Sequence, residues 1–318
     1  MSPIRRRILF AGALGGLAIS TSIPAAAAAD PHRRVAFAPG RCTVDLDVDW
    51  HAGWPSPKHD PEPEIQSHFA NEHTVIMRQN KSVNYEAPFM FLLFGNDAAM
   101  LIDTGATPEA EYFPLRQVVD EHLDAWLADH PRDDYRLLVV HTHGHGDHKA
   151  ADAQFAGREH TTVVGAGLDD VKAHYGFDDW PATPREIDLG GRSIDVIPGP
   201  GHHASATVFY DRYTRLLLTG DTFYPGRLYI QDWDAFAATV DRLVDWCDSH
   251  PVSHVLGCHV EMSIEPGLDY PRGTTYQPYE ADLPMTVEQL RELQRTVREV
   301  GGAPGIHRFD DFHIWYEV

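Results

Sequence analysis

Cysteine is scarce: the 318-residue chain has three, Cys42, Cys247 and Cys258. So small and odd a number, scattered so widely, is no disulfide framework, and stability has to come from a packed core. Cys247 falls on the apolar face of an expected helix. Cys258 precedes a candidate metal ligand and, by strand alternation, points the other way. Both read as small buried hydrophobes, while a disulfide at Cys42 stays open. Positive charge is also short, with 26 Lys and Arg against 47 Asp and Glu, a net charge of −21. Nucleic-acid binding rests on Lys and Arg contacts to phosphate, and anionic membranes repel an acidic surface, so neither is an expected partner. A membrane-spanning run is missing too. The apolar stretch Ile8 to Ile19 falls short of the roughly 18–20 residues a span needs.

What is there suffices for a globular protein. Hydrophobic residues make up 43% of the chain and aromatics 10%, enough for a sizeable core. The N-terminus reads as an address instead of a fold: Arg5-Arg6-Arg7, then the short apolar run, then Pro24 and five alanines to Ala29. This is a twin-arginine-type export signal over residues 1–29, with no cysteine at the cleavage point for a lipid anchor. The expected mature protein is therefore bacterial and exported, to the envelope or beyond, without a stable membrane anchor. Residues 30–64, rich in proline and charge, read as an irregular arm. Residues 65–318 read as one layered α/β domain.

The chain is organised around HTHGHGDH, His141 to His148. Three imidazoles and a carboxylate, His143, His145, Asp147 and His148, lie within six residues and suit zinc, iron or manganese. A β-type run, Tyr135–Val140, precedes the motif and a helix start, Lys149–Phe155, follows it. The site thus falls on a loop at the carboxyl end of a strand, where α/β sites are built. Gly144 and Gly146 are expected to let the backbone bend sharply. His141 reads as a packed or rim residue.

Around this loop the pattern alternates. Strands are expected at His73–Arg78, Phe89–Phe94, Ala98–Ile102, Thr161–Val164, Asp195–Ile197, Val208–Tyr210, Arg215–Thr219 and Val252–Cys258, with a single closing strand over Ile306–Val318. Helices are expected at Pro108–Ala128, Asp232–His250 and Thr286–Val300, the last with Thr286 and Gln289 spaced as a capping box. His51 and His59, in the arm, read as surface residues. The loop Val260–Pro284 is long enough to imply a role at the rim of a site.

Three further candidates, His202, Asp221 and His259, sit where short strands end beside glycines. With the four in the motif they make five histidines and two aspartates, enough for two metals. Asp103, ending a strand before Thr104-Gly105, could cap a turn or could orient a metal-bound histidine.

LIDTG at 101–105, THGHGDH at 142–148, PGH at 200–202, LLLTGD at 216–221 and GCH at 257–259 resemble the metallo-β-lactamase superfamily of metallohydrolases. The resemblance implies an αββα sandwich. It implies a first metal on His143, His145 and His202, a second on Asp147, His148 and His259, and Asp221 bridging them, and it favours the orienting role for Asp103. His202 is preferred over His203, although the family more often has Thr or Ser in the latter place. A carboxylate at Asp221 is similar to the glyoxalase II, lactonase and phosphodiesterase branches; true β-lactamases generally lack it.

The implied function is a dinuclear hydrolase, with zinc the expected metal and iron or manganese the alternatives. It would open a small ester, thioester or lactone by attack of metal-bound hydroxide. Asp147 or Asp221 would handle the proton. Tyr224, three residues after Asp221, is either an oxyanion donor, as in some lactonases of the superfamily, or a packed loop residue. The competing readings are a mononuclear iron oxidoreductase resembling persulfide dioxygenases, and a β-lactamase. A small-molecule substrate is the expected partner, and the oligomeric state is unassigned.

Overall fold

A computed structural model describes residues 34–40 and 42–317; the export signal expected over residues 1–29 lies outside them. The first sheet runs in sequence order through β1 (Ile65–Asn71), β2 (Thr74–Gln79), β3 (Phe89–Phe94), β4 (Ala98–Ile102), β5 (Arg136–Val140) and β6 (Thr161–Val163). Its first four strands are antiparallel, and β4, β5 and β6 are parallel. The second sheet has the order β13-β12-β10-β9-β8-β7, built from β7 (Arg185–Asp188), β8 (Ser193–Pro198), β9 (Thr207–Asp211), β10 (Leu216–Gly220), β12 (His254–Gly257) and β13 (Pro284–Met285). A small third sheet joins β11 (Arg227–Ile230) to β14 (Gly305–Arg308) and β15 (His313–Tyr316). The helices are α1 (Leu115–Asp129), α2 (Gly146–Lys149), α3 (Leu168–Tyr175), α4 (Trp233–Ser249) and α5 (Val287–Val300).

Alternation along the strands explains the layering. On β3, Phe89, Phe91 and Leu93 enter the core between the two large sheets, while Met90, Leu92 and Phe94 face the opposite way, against Leu115, Val119, Leu123 and Trp126 of α1. On β10, Leu216 and Leu218 face the intersheet core and Leu217 faces α4 and α5. Strands covered on both faces have to be apolar throughout, which is why FMFLLF and LLL read as continuous runs. The result is the αββα sandwich expected from the resemblance.

Several boundaries differ from the expected ones. The helix expected from Pro108 begins only at Leu115, after Pro114, and Tyr112 is exposed ahead of it. Proline offers no N–H and crowds the preceding turn, so it starts a helix and does not sit within one. The helix start expected at Lys149–Phe155 is a run of 3-10 turns over Ala150–Phe155, and a single α-turn, α2, precedes it within the histidine motif itself. The closing strand is a hairpin, β14 and β15, turned at Asp310-Asp311. His59 is exposed as expected, but His51 is half-buried, with Nε2 3.5 Å from Asp60. The arm lies along the outer edge of β1: Asp45 N–H donates to Ala70 O at 2.8 Å and Gln66 Nε2 donates to Asp49 O at 3.0 Å. Val44, Leu46 and Trp50 reach the intersheet core, with Asp45, Asp47 and Asp49 outward.

At one end of the sandwich the two sheets are joined by a charge. Arg192, completely buried just before β8, donates to Asp211 Oδ2 at 2.6 Å, to Thr74 Oγ1 at 2.8 Å, to Phe94 O at 3.0 Å and to His73 O. Beside it, His73 Nδ1 accepts the indole N–H of Trp126 at 3.0 Å, so the ring is neutral with its proton on Nε2. That proton rules out a metal ligand here, although Glu72, His73 and His130 lie close together. Burial, with repulsion from Arg192 and His130, pushes His73 down to about 4 from 6.5. Between those values the unfolded chain takes up a proton that the folded protein refuses. The stabilisation is therefore complete above pH 6.5 and is lost as the pH falls toward 4. Denaturant unfolding in the presence of a chelator should show about 2 kcal/mol more loss between pH 7.5 and 5 in the wild type than in His73→Gln. Equal losses would refute the assignment.

Candidate metal centre

The opposite end of the sandwich carries the site. Strands β4, β5, β8, β10 and β12 all end there, delivering Asp103, the 141–148 loop, His202, Asp221 and His259. Two glycines allow the close approach. Gly201 has φ 140° and a Cβ there would meet the Phe236 backbone at 2.4 Å; Gly220 has φ 54° and would meet Thr142 at 2.6 Å. The glycines of the motif act differently from expectation. Neither has a positive φ. Gly144 is needed for space against Ala166 O and His203, and Gly146 faces open space.

All seven ligand candidates converge, in two groups. In the first, His143 Nε2 is 2.9 Å from His145 Nδ1, and His202 Nε2 is 3.2 Å and 3.0 Å from those two atoms. Nitrogens held about 2.0–2.1 Å from a tetrahedral zinc would stand about 3.3 Å apart, close to this spacing. In the second group, His148 Nε2 and His259 Nε2 are 3.2 Å apart. Asp147 Oδ2 lies 3.4 and 3.3 Å from them, and Asp221 Oδ1 lies 3.4 Å from each. Asp221 Oδ2 faces the first group, 3.6 Å from His202 and 3.9 Å from His143.

The outward ring nitrogens decide what the inward ones can do. His202 Nδ1 donates to Tyr229 O at 2.7 Å, His259 Nδ1 donates to Glu86 O at 2.9 Å and His148 Nδ1 donates to Asp103 Oδ2 at 2.8 Å. A carbonyl or carboxylate only accepts, so each neutral ring turns a bare lone pair inward. Lone pairs so close repel unless a proton or a metal cation lies between them. Asp221 Oδ1, buried and without a hydrogen-bond partner, makes the same demand. The residues present therefore fit a pair of divalent ions.

The electrostatics separate the two groups. Burial keeps His143, His145 and His202 below the usual histidine range, hence neutral and able to ligate. Burial would lower His148 and His259 as well, yet the facing carboxylates raise both, His259 to about 9, so without metal these two rings each hold a proton that a bound ion would displace. Burial would raise Asp147 and Asp221, but the surrounding histidines hold both below the carboxylate range.

Asp103 is wholly buried and sits in the left-handed region at φ 67°. Its carboxylate accepts from Thr142 N at 2.7 Å, Thr142 Oγ1 at 2.8 Å, His148 Nδ1 at 2.8 Å and Cys258 Sγ at 3.3 Å. It orients His148, and Cys258 is more than filler: burial and Asp103 push its thiol up, so it stays a donor. His203 turns away to Ser205 Oγ at 2.9 Å and His141 turns to Asp152 at 2.8 Å, so neither joins the groups. Above them lies a cleft of about 350 Å³ lined by Glu86, Asp147, Asp221, Tyr229, Glu261 and Arg272, among others. Tyr224 also lines it, but its hydroxyl donates to Arg227 O, so it could serve an oxyanion only by giving that bond up. Sequence reasoning missed Tyr229 and Glu86 as supports of ligand histidines, because they act through main-chain carbonyls that any residue could supply.

The family model of the metallo-beta-lactamase superfamily matches residues 85–256. The chain belongs to the metallo-β-lactamase superfamily. Within that superfamily it is 30% identical over 109 residues to the hydroxyacylglutathione hydrolase of Rhizobium meliloti, covering 33% of this chain and 42% of that protein. It is 31% identical over 125 residues to the hydroxyacylglutathione hydrolase of Anaeromyxobacter dehalogenans, covering 36% and 46%. The chain thus spans less than half the length of these two relatives. Among solved structures, it is similar to a metallo-beta-lactamase from Pontibacter korlensis, with a TM-score of 0.47 and 18% identity over 74% of this chain and 99% of that one. It is also similar to a metallo-beta-lactamase superfamily protein from Sulfolobus tokodaii, with a TM-score of 0.40 and 15% identity over 66% and 80%.

Proposed function

We propose that this chain is a dinuclear, zinc-dependent hydrolase of a small ester, thioester or lactone. The observation that carries the reading is Asp221, whose two oxygens face two separate sets of inward-turned ligand atoms. The likeness to hydroxyacylglutathione hydrolases supports a thioester within that class. When bound, two divalent ions supply hydroxide near neutral pH and polarise a substrate's electrophilic oxygen.

The chain's own residues do the rest. His143, His145 and His202 would hold one ion, and Asp147, His148 and His259 the other, with Asp221 shared. Asp103 and the carbonyls of Tyr229 and Glu86 keep the rings oriented. Asp147 has a quarter of its side chain exposed against less than a tenth for Asp221, so it is the better placed of the two to pass a proton to solvent. The cleft suits a small substrate, since ligand sites run from about 300 Å³ upward. Export through the twin-arginine route is the accompanying proposal for residues 1–29.

The test is metal analysis of protein purified without added metal, followed by a panel of acyl esters, S-acyl thioesters and lactones. About two zinc ions per chain are expected, with hydrolysis lost on chelation and restored by zinc. One iron per chain with oxygen uptake, or a fully zinc-loaded protein inert on the whole panel, would sink the reading.

A further inference from the structure

Two tyrosines line the cleft, and Arg227, between them in sequence, sorts them. Its main-chain carbonyl accepts the hydroxyl proton of Tyr224. Its side chain does the opposite for Tyr229: Nε–H donates to the phenolic oxygen at 3.2 Å. Tyr224 has therefore spent its proton inside the protein. Tyr229 has its oxygen occupied, and among the described residues nothing accepts its proton.

The device is rigid. Arg227 donates to Asp269 Oδ2, Tyr270 O and Glu261 Oε1, each at 2.6 Å, and its N–H donates to Glu261 Oε2 at 2.7 Å. The Tyr229 ring lies against Trp315 at 5.3 Å between centroids, on paired strands β11 and β15. Its carbonyl fixes His202. One residue thus ties the donor to the ligand set, so the two hold station together. A guanidinium hydrogen bond to a phenolic oxygen draws electron density from the O–H and strengthens it as a donor.

We propose that Tyr229, not Tyr224, is the catalytic hydrogen-bond donor of this site. It gives its O–H to the substrate oxygen that gains negative charge as hydroxide adds, and Arg227 is the positioning residue that aims it. This rests on the hydrolase reading.

The experiment compares the zinc-loaded wild type with Tyr229→Phe and Tyr224→Phe. Two readouts are used: kcat and KM on the best substrate of the panel, and calorimetric binding of methylphosphonate, a tetrahedral anion that mimics the developing oxyanion. Tyr229→Phe should lower kcat about 10²-fold, the usual loss for one oxyanion donor, with KM within about twofold and metal content unchanged. It should weaken methylphosphonate binding about tenfold. The assignment is overturned if Tyr229→Phe matches the wild type in both readouts, or if Tyr224→Phe carries the kcat loss instead. Should the panel yield no substrate, the hydrolase reading fails by itself. Methylphosphonate binding then still decides whether Tyr229 is the anion donor.

Discussion

Asp221→Ala should lower kcat/KM by about 10³-fold or more, roughly 4 kcal/mol of barrier, and take metal content from about two ions per chain to one or none. Its carboxylate turns one oxygen toward each histidine set, so its loss opens both at once. Unfolding is not the expected cause. In the metal-free wild type, Asp221 Oδ1 has no hydrogen-bond partner, so removing it leaves no new buried donor stranded by a broken hydrogen bond at that oxygen. The metal-free variant should therefore melt within a few degrees of the metal-free wild type. Retention of both ions, or of a tenth of the activity, would refute the bridging role.

Arg192→Met should be the most damaging change to stability, costing about 3–5 kcal/mol and lowering Tm by about 10 °C. Arg192 and Asp211 are both completely buried, and the variant strands the Asp211 carboxylate. Adding Asp211→Asn should recover part of the loss, because the uncompensated charge is its main source. Recovery will be incomplete, since Asp211 also holds the turn through Thr214 Oγ1 at 2.6 Å. Metal content should not change in either variant, the site being at the far end. A cost below about 1 kcal/mol would mean the ion pair is not what joins the sheets there.

Legibility from sequence followed burial. The central strands β3, β4 and β10 read within a residue of their observed limits because both faces are covered and their runs are unbroken. Helix α5 showed itself through its Thr286–Gln289 capping box. Of the edge and peripheral elements, β6 showed in its Thr161–Val164 run and the following stayed hidden. Strand β1 buries only Ile65 and Ala70, and β7 buries no residue. Helix α3 buries a single residue, Val171. Strand β11 was masked by its tyrosine and arginine, whose polar ends turn out to be paired. The seven candidate ligands, which the fold gathers into two groups, could be picked out because metal chemistry needs particular side chains beside particular turns. Their supports could not: Glu86 and Tyr229 contribute carbonyls, and Arg192 gave no signal because only the assembled fold brings Asp211, Thr74 and Phe94 around it.

The two fastenings of the sandwich differ in kind. At one end the sheets are joined by the Arg192 charge; at the other they share hydrogen bonds, Phe89 N–H to Cys258 O at 2.8 Å and Thr207 N–H to Thr142 O at 2.7 Å, beneath two sets of candidate ligands that a cation would draw together. Stripped of ions, the molecule should behave like a clothes peg with its spring intact. Amide hydrogen exchange would quicken over 142–148, 199–203 and 258–262, while protection near 73–75, 192–194 and 211–214 persists. The protein could then be emptied and reloaded many times over without its chain ever losing the fold.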